Sequence, residues 1–458
     1  MKRIKRAFPV LLASFVLALV LAPCISAANI KIEITNPYEN VNWAQYGQYR
    51  TQLHTHTTAS DGADTLAAVV EAYYAAGYHA LAITDHGTVD RGWINPNYRP
   101  FDLFFGNIGR WFTRDEPRVI QGLMQERYDE IKAGAGREDS RGMIRVPFGI
   151  EQNPGGNDFK GGLIHTNSWF ADWGNAFPGG YMDYSVALRG IDKAGGLSII
   201  NHPTSALGSW NIPFEDVYEG NNNYLVNKIQ REFERFDSLI GMEITGGHDR
   251  KLWDILLTNL APGGRNVFAV PTDDTHGVEH WLDWGWVMAL MEKNNAANLY
   301  DSLKGGAFFG GDRCISHPAL LAFLQEHVEL ALSEWGCWDG EHGAAEPTIN
   351  AITVKGSTIS IEADAELIWW VADGEIIAIG DEINLIENLD RIGAYVRAEL
   401  WSEGAILYTQ PFLLSYEGMP SGRPVPGHFR DIGDVIGFFR MFMYPFALMM
   451  DWIWGFIK

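Results

Sequence analysis

The chain reads as an α/β protein, a (β/α) barrel followed by a small all-β (Ig-like) sandwich and an apolar tail, and three observations predict this. Between Tyr49 and Phe309 short apolar runs alternate with helical patterns, the signature of βα units around a parallel sheet. Several of those runs end on polar or ionisable residues, as barrel strands do on the face where chemistry collects. Past Cys337 the pattern becomes short β-prone runs separated by turn residues.

Taken in order, the chain opens with Lys2, Arg3, Lys5 and Arg6, continues with an apolar run over 7–22, and reaches the small residues Ser26, Ala27 and Ala28. That order is a secretory signal peptide, so residues 1–28 are read as a leader and the mature protein as exported. The apolar run falls short of the ~20 residues that span a bilayer comfortably. Pro23 before Cys24 speaks against lipidation at that cysteine. Removing the leader takes away four positive charges and no negative one, which moves the formal net charge from −22 to −26. Such a chain repels nucleic acid, and an anionic substrate needs local help from metal ions or a few arginines. Cys314 and Cys337 remain, as one disulfide or two free thiols.

Residues 29–335 suit a single large barrel. Its first unit is the clearest: after Asp64 and Thr65, which supply an N-cap, Leu66, Val69, Val70 and Tyr73 recur at helical spacing, and Gly77 stands where a helix ends. A strand at 79–84 follows, and further strands are predicted at 146–151, 163–168, 197–201, 239–245, 267–272 and 284–290. The stretch 92–142 is too long for a simple loop; it either covers the mouth of the barrel or packs outside it. Five β-runs at 348–354, 358–363, 366–372, 393–401 and 405–409 make up a module at 345–417. The tail, 432–458, is aromatic and methionine-rich but interrupted by Arg440, Pro445 and Asp451. Three readings stay open for it: a membrane-surface or partner contact, packing onto the protein, and a true span.

The chemistry gathers at the predicted strand ends. In Leu53-His54-Thr55-His56 the alternation of strand side chains points both histidines to one face, where they can grip one metal ion. Thr84-Asp85-His86, Glu151, His165, His202 and Asp274-Thr275-His276 follow at or within later strands. Six of the 13 histidines thus fall there with acids beside them. Such ligands suit zinc, manganese or iron, whereas calcium wants an all-oxygen shell. His79, His248, His280 and His317 are read as structural. Asp85 is read as orienting an imidazole, and Arg91 as a phosphate contact or an ordinary surface arginine.

These motifs resemble the polymerase and histidinol phosphatase (PHP) family, through His54-Thr55-His56, Ser60-Asp61-Gly62, Thr84-Asp85-His86, Gly149-Ile150-Glu151, His165, Asn201-His202-Pro203 and Asp274-Thr275-His276, over roughly residues 49–310. The resemblance implies a distorted (β/α)7 barrel holding two or three divalent metal ions. His54, His56 and Asp274 would bind a first metal, bridged by Glu151 to a second on His165 and His202, with Asp61, His86 and His276 around a third. Some members carry a histidine beside the position of Asp61, where this chain has Gly62. Glu151, Asp274 and His86 are the expected catalytic residues, with a metal-bridging hydroxide as nucleophile toward a small phosphorylated ester. Ala394-Tyr395-Val396-Arg397 and Gln410-Pro411-Phe412 resemble the ending of exported relatives, some of which hydrolyse aryl esters or carbamates. Carboxylic or carbamate esters, or an inactive surface binding protein, are therefore the alternative readings.

Overall fold

A computed structural model describes residues 30–94, 96, 120–152, 165–174, 184–206, 214–334 and 336–423. The expected leader at 1–28 and the tail at 432–458 lie outside the described residues, as do residues 97–119 of the 92–142 stretch. Among the described residues no helix is long and apolar enough to cross a membrane.

The protein is a mixed α/β molecule whose first region is organised by one circuit of strand pairings. Gly47–Gln52 pairs in parallel with Ala80–Leu81. The chain then runs on until His86 bridges in parallel to Glu151. Ile150–Gln152 lies antiparallel to Thr166–Trp169, which lies antiparallel to Leu197–Ile200. Parallel pairing resumes through Leu239–Glu243 to Phe268–Val270, and a parallel bridge from Thr275 to Thr55 returns to the first segment. The helix Leu66–Ala75 follows its apolar spacing, burying Leu66, Val69, Val70 and Tyr73. Thr65 caps it, its side chain accepting from the Ala68 N–H at 3.2 Å. Each such fully buried side chain contributes roughly 1.5–3 kcal/mol.

Three features differ from the expected parallel sheet. Thr166–Trp169 is antiparallel to both neighbours, and Gly285–Met291 is antiparallel to Gly47–Gln52 and to Phe308–Asp312. An apolar run carries no mark of strand direction, and antiparallel neighbours need no helical crossover. Of the strand expected at 146–151 only Ile150 and Glu151 are strand, within Ile150–Gln152, and Ile144–Arg145 is a separate short strand before it; between the two Phe148 turns the chain at φ 58°. Gly149 is required beside that turn: a Cβ there would stand 2.3 Å from the Ile83 carbonyl oxygen. His165 lies immediately before Thr166–Trp169 rather than inside a strand.

The C-terminal region is β-rich and shares a sheet with the first. Phe308–Asp312 pairs with Ala405–Thr409, which pairs with Tyr395–Ser402, itself the neighbour of Leu367–Ala372 and Phe412–Ser415. Thr348–Lys355, Thr358–Asp364 and Glu382–Asn384 form a separate three-stranded sheet. Two of its features escape a reading by runs alone. Glu33–Thr35, near the start of the chain, pairs with Phe412–Ser415. Asp373-Gly374, at φ 47° and 81°, turns Leu367–Ala372 back into Glu375–Ile379. A common apolar core crosses the two regions, with Leu66, Tyr73 and Trp286 in one cluster with Val396, Leu400 and Phe412. Cys314 and Cys337 are not joined in a disulfide.

Candidate metal centre

The circuit of pairings brings strand ends from distant parts of the chain to one place, and the side chains there are imidazoles and carboxylates. Gln52 sets the first of them: its Oε1 accepts from the N–H groups of Leu53 at 2.9 Å and His54 at 3.0 Å where the ladder stops. Just beyond, His54 Nε2 and His56 Nε2 stand 3.0 Å apart, and both face Asp274 Oδ1, at 3.0 and 3.1 Å. Glu151 Oε2 lies 3.2 Å from His56 Nε2 and 2.8 Å from His86 Nδ1. Its other oxygen, Oε1, lies 2.9 Å from His165 Nδ1 and 3.3 Å from His202 Nε2. On the outer side, Asp61 Oδ2 is 3.4 Å from His86 Nε2 and 3.3 Å from His276 Nε2.

All nine residues named in the sequence therefore meet in one cluster, and three groups within it have spacings that can hold a metal ion: His54, His56 and Asp274; His86, Glu151 and His165; and His56, Asp61, His86 and His276. His202 joins the second group through Glu151 Oε1 and through His165 Nδ1 at 3.1 Å. The chemistry of the donors fits cations. Glu151 Oε2 and Asp274 Oδ1 are buried and make no hydrogen bond, a costly state for carboxylate oxygens unless a positive charge meets them. His202 and Asp274 also sit at positive φ, 26° and 49°, backbone strain of the kind that concentrates at functional sites.

The electrostatics point the same way. Burial alone would push the Glu151 carboxyl up, yet His86, His165 and His54 around it hold it well below the usual range. Burial likewise opposes charge on His54, but Asp274, Glu243 and Glu151 hold it well above an ordinary imidazole. His56 is raised to about 9 against its burial, by Asp274 and Glu151. His165, by contrast, is lowered by burial.

The residues around the cluster support it or stand apart from it. Asp85 does not touch an imidazole. It accepts from the Thr57 N–H, the Thr57 hydroxyl and the Ser60 hydroxyl, each at 2.7 Å, and so braces the turn whose Ser60 Oγ lies 3.3 Å from His56 Nδ1. Arg91 pairs with Asp172 at 2.8 Å. Gly62 admits no side chain, because a Cβ would come within 2.6 Å of the His56 carbonyl; a histidine at that position has no room. Asp273, the neighbour of Asp274, turns away to accept from Tyr73 Oη at 2.7 Å and from the N–H groups of Asp283, Trp284 and Gly285. His79 accepts from the Arg50 N–H at 3.1 Å, and His317 caps the helix Pro318–His327.

Two supports went unread in the sequence. Asn201, visible there only as part of a motif, donates to Glu151 Oε1 at 2.8 Å. Glu243, buried at the end of Leu239–Glu243, contacts His54 Nδ1 at 2.7 Å and accepts from the His202 N–H at 2.6 Å. The available signal was its place: it is an acid closing an apolar strand.

The family model described as the PHP domain matches residues 52–163. Among solved structures the chain is similar to a two-domain protein from Bacteroides vulgatus, named for a predicted PHP-like metal-dependent phosphoesterase, at 15% identity over 84% of this chain and 90% of that one, with a TM-score of 0.37. It is also similar to an amidohydrolase from Chromobacterium violaceum, solved with bound sulfate and no metal, at 14% identity over 50% of this chain and 87% of that one, with a TM-score of 0.26. No curated protein matches the chain.

Proposed function

We propose that this chain, whose residues 52–163 match the PHP domain model, is a metal-dependent hydrolase that cleaves phosphate mono- or diesters with two or three divalent ions, manganese, zinc or iron. The observation that carries this reading is Glu151. One fully buried carboxylate has imidazoles from separate strand ends around both oxygens, and its Oε2 makes no hydrogen bond. In this reading the circuit of pairings is the distorted (β/α)7 barrel, and the C-terminal strands are an Ig-like sandwich. The leader pattern at 1–28 makes export part of the same proposal.

His54, His56 and Asp274 would hold one ion, His165 and His202 a second, and Asp61, His86 and His276 a third, with Glu151 shared between the first two. Bound there, divalent ions activate water near neutral pH, polarise the ester and offset the charge of an anionic substrate on an acidic protein. The protein's own part is geometry. Glu151 keeps imidazoles from four segments at one spacing, and Asn201 fixes the carboxylate that does so. Asp61 and His276 are the open side of the cluster, with side chains 46% and 39% exposed, so the ester is expected to approach over them while His54, His56 and Glu151 stay away from bulk water. The test is a panel of chromogenic phosphate monoesters, diesters and aryl carboxylates given to manganese-loaded protein, together with elemental analysis. Turnover of phosphate esters with more than one ion bound per chain is expected. Turnover of carboxylates alone would overturn the phosphoesterase assignment, and less than one ion per chain would overturn the metal centre.

A further inference from the structure

Glu243 stands outside the nine-residue cluster yet touches both halves of it. It is fully buried at the end of Leu239–Glu243, and its two oxygens meet three donors. Oε1 faces His54 Nδ1 at 2.7 Å and also accepts from the Thr272 hydroxyl, and Oε2 accepts from the His202 backbone N–H at 2.6 Å. We infer that Glu243 is a positioning residue that fixes the tautomer of His54 and the backbone of His202 together, and so couples two of the proposed cation positions. This rests on the functional reading above.

The argument is one of donor counting. A carboxylate only accepts, so the ring nitrogen of His54 that faces Glu243 must carry a proton. In the neutral ring that leaves the Nε2 lone pair directed at the point where His56 Nε2 and Asp274 Oδ1 converge, which is the form of imidazole a cation binds. On the other oxygen, the His202 N–H belongs to a residue held at φ 26°, a conformation that persists only where surroundings enforce it. His202 Nε2 in turn lies 3.3 Å from Glu151 Oε1. His54 Nε2 lies 3.5 Å from Glu151 Oε2, so one side chain braces Glu151 from both flanks. A glutamine in its place keeps the shape but supplies one acceptor oxygen and, in place of the other, an NH2 donor group. That donor meets either His54 Nδ1–H or the His202 N–H. Facing His54, it drives that proton to Nε2, which blocks the lone pair; facing His202, it opposes the backbone N–H that Glu243 holds.

The test uses the full chain, with manganese titrated into metal-free wild-type and Glu243→Gln protein. Half-saturation is expected to rise about 10- to 100-fold in the variant, with a changed visible absorption when cobalt replaces manganese and with the metal-free variant still folded by circular dichroism. Equal affinity and equal cobalt spectra in the two proteins would overturn the role of Glu243, whereas wild-type protein that binds no metal would overturn the functional reading instead. Should the variant fail to fold, a long-range proton–nitrogen spectrum of zinc-loaded wild-type protein decides. A proton on Nδ1 of His54 is expected there, and one on Nε2 would sink the inference.

Discussion

Two buried polar networks in this molecule are built from similar groups and end in opposite states. In the first, at the strand ends, imidazoles and carboxylates converge and leave Glu151 Oε2 and Asp274 Oδ1 without hydrogen bonds. In the second, where the helix Gly247–Leu260 packs on the C-terminal sheet, charges close upon one another. Arg397 grips both oxygens of Asp254, at 3.0 and 2.9 Å, and also donates to Glu399. Arg250 donates to the other Glu399 oxygen at 2.9 Å, and Tyr395 Oη donates to Asp254 at 2.7 Å. The difference lies in the cations. Guanidinium groups are permanent and come with five donors in a plane, so the second network meets all four carboxylate oxygens of Asp254 and Glu399, although Arg250 Nη2 is buried without a hydrogen bond. Imidazoles carry a charge only when protonated, and their nitrogens stand at distances that suit a shared ion. A buried polar cluster with unmatched carboxylate oxygens reads as a receptor; one with matched oxygens reads as a fastening.

The sharpest way to break this comparison is to damage each network and ask which property falls. His56→Ala is expected to remove several kcal/mol of transition-state stabilisation, about a thousandfold in kcat/KM, while the thermal midpoint of the metal-free protein stays near that of wild type. Unchanged turnover of the manganese-loaded variant would refute the site. Arg397→Met should do the reverse. It strands the Asp254 and Glu399 carboxylates in the interior and is expected to cost about 3–5 kcal/mol in denaturant unfolding, while manganese stoichiometry per folded chain is unchanged. Loss of metal without loss of stability in that variant would mean that the two networks are one.

A milder intervention leaves the sequence intact. Manganese at about a hundred times its dissociation constant should stabilise the wild-type protein by about 2.7 kcal/mol, and a chelator should remove that gain; in His56→Ala protein the same additions should move the unfolding curve far less. A metal effect of equal size in both proteins, followed by differential scanning fluorimetry, would sever the link between stability and the cluster.

How far these networks were visible beforehand follows from how local their marks are. His54-Thr55-His56 and Asp274-Thr275-His276 announce themselves by spacing within three residues, and the apolar periodicity of Leu66, Val69, Val70 and Tyr73 announces their helix. Glu243 does not, because its meaning depends on His54, 189 positions away, and on His202, 41 positions away. The same holds for Arg397 and Asp254, a pair 143 positions apart that composition alone leaves among the charged residues of an acidic surface. Strand direction was hidden for a related reason. The run at Gly285–Met291 is apolar whichever way its neighbours point, and only pairing decides.

The smallest expected effect concerns the edge of the second network and carries a definite sign. Asp312 is buried, and burial pushes its carboxyl up to about 6, although Arg250, the Cys314 N–H and Tyr408 Oη favour the charged form and Asp249 opposes it. A carboxyl whose folded value lies above the unfolded ~3.9 takes up protons on folding between those two limits. Its stabilising contribution is therefore complete at pH below about 4 and fades as pH rises through about 6. Between pH 5 and pH 7 the loss amounts to about 1 kcal/mol. Asp312→Asn cannot titrate, so the unfolding free energy of wild type minus that of the variant should fall by this amount across that interval, measured in urea at fixed ionic strength and without added metal. A difference that rises with pH would mean that Arg250 and the two donors outweigh burial, and that the fastening is electrostatically tighter than its geometry implies.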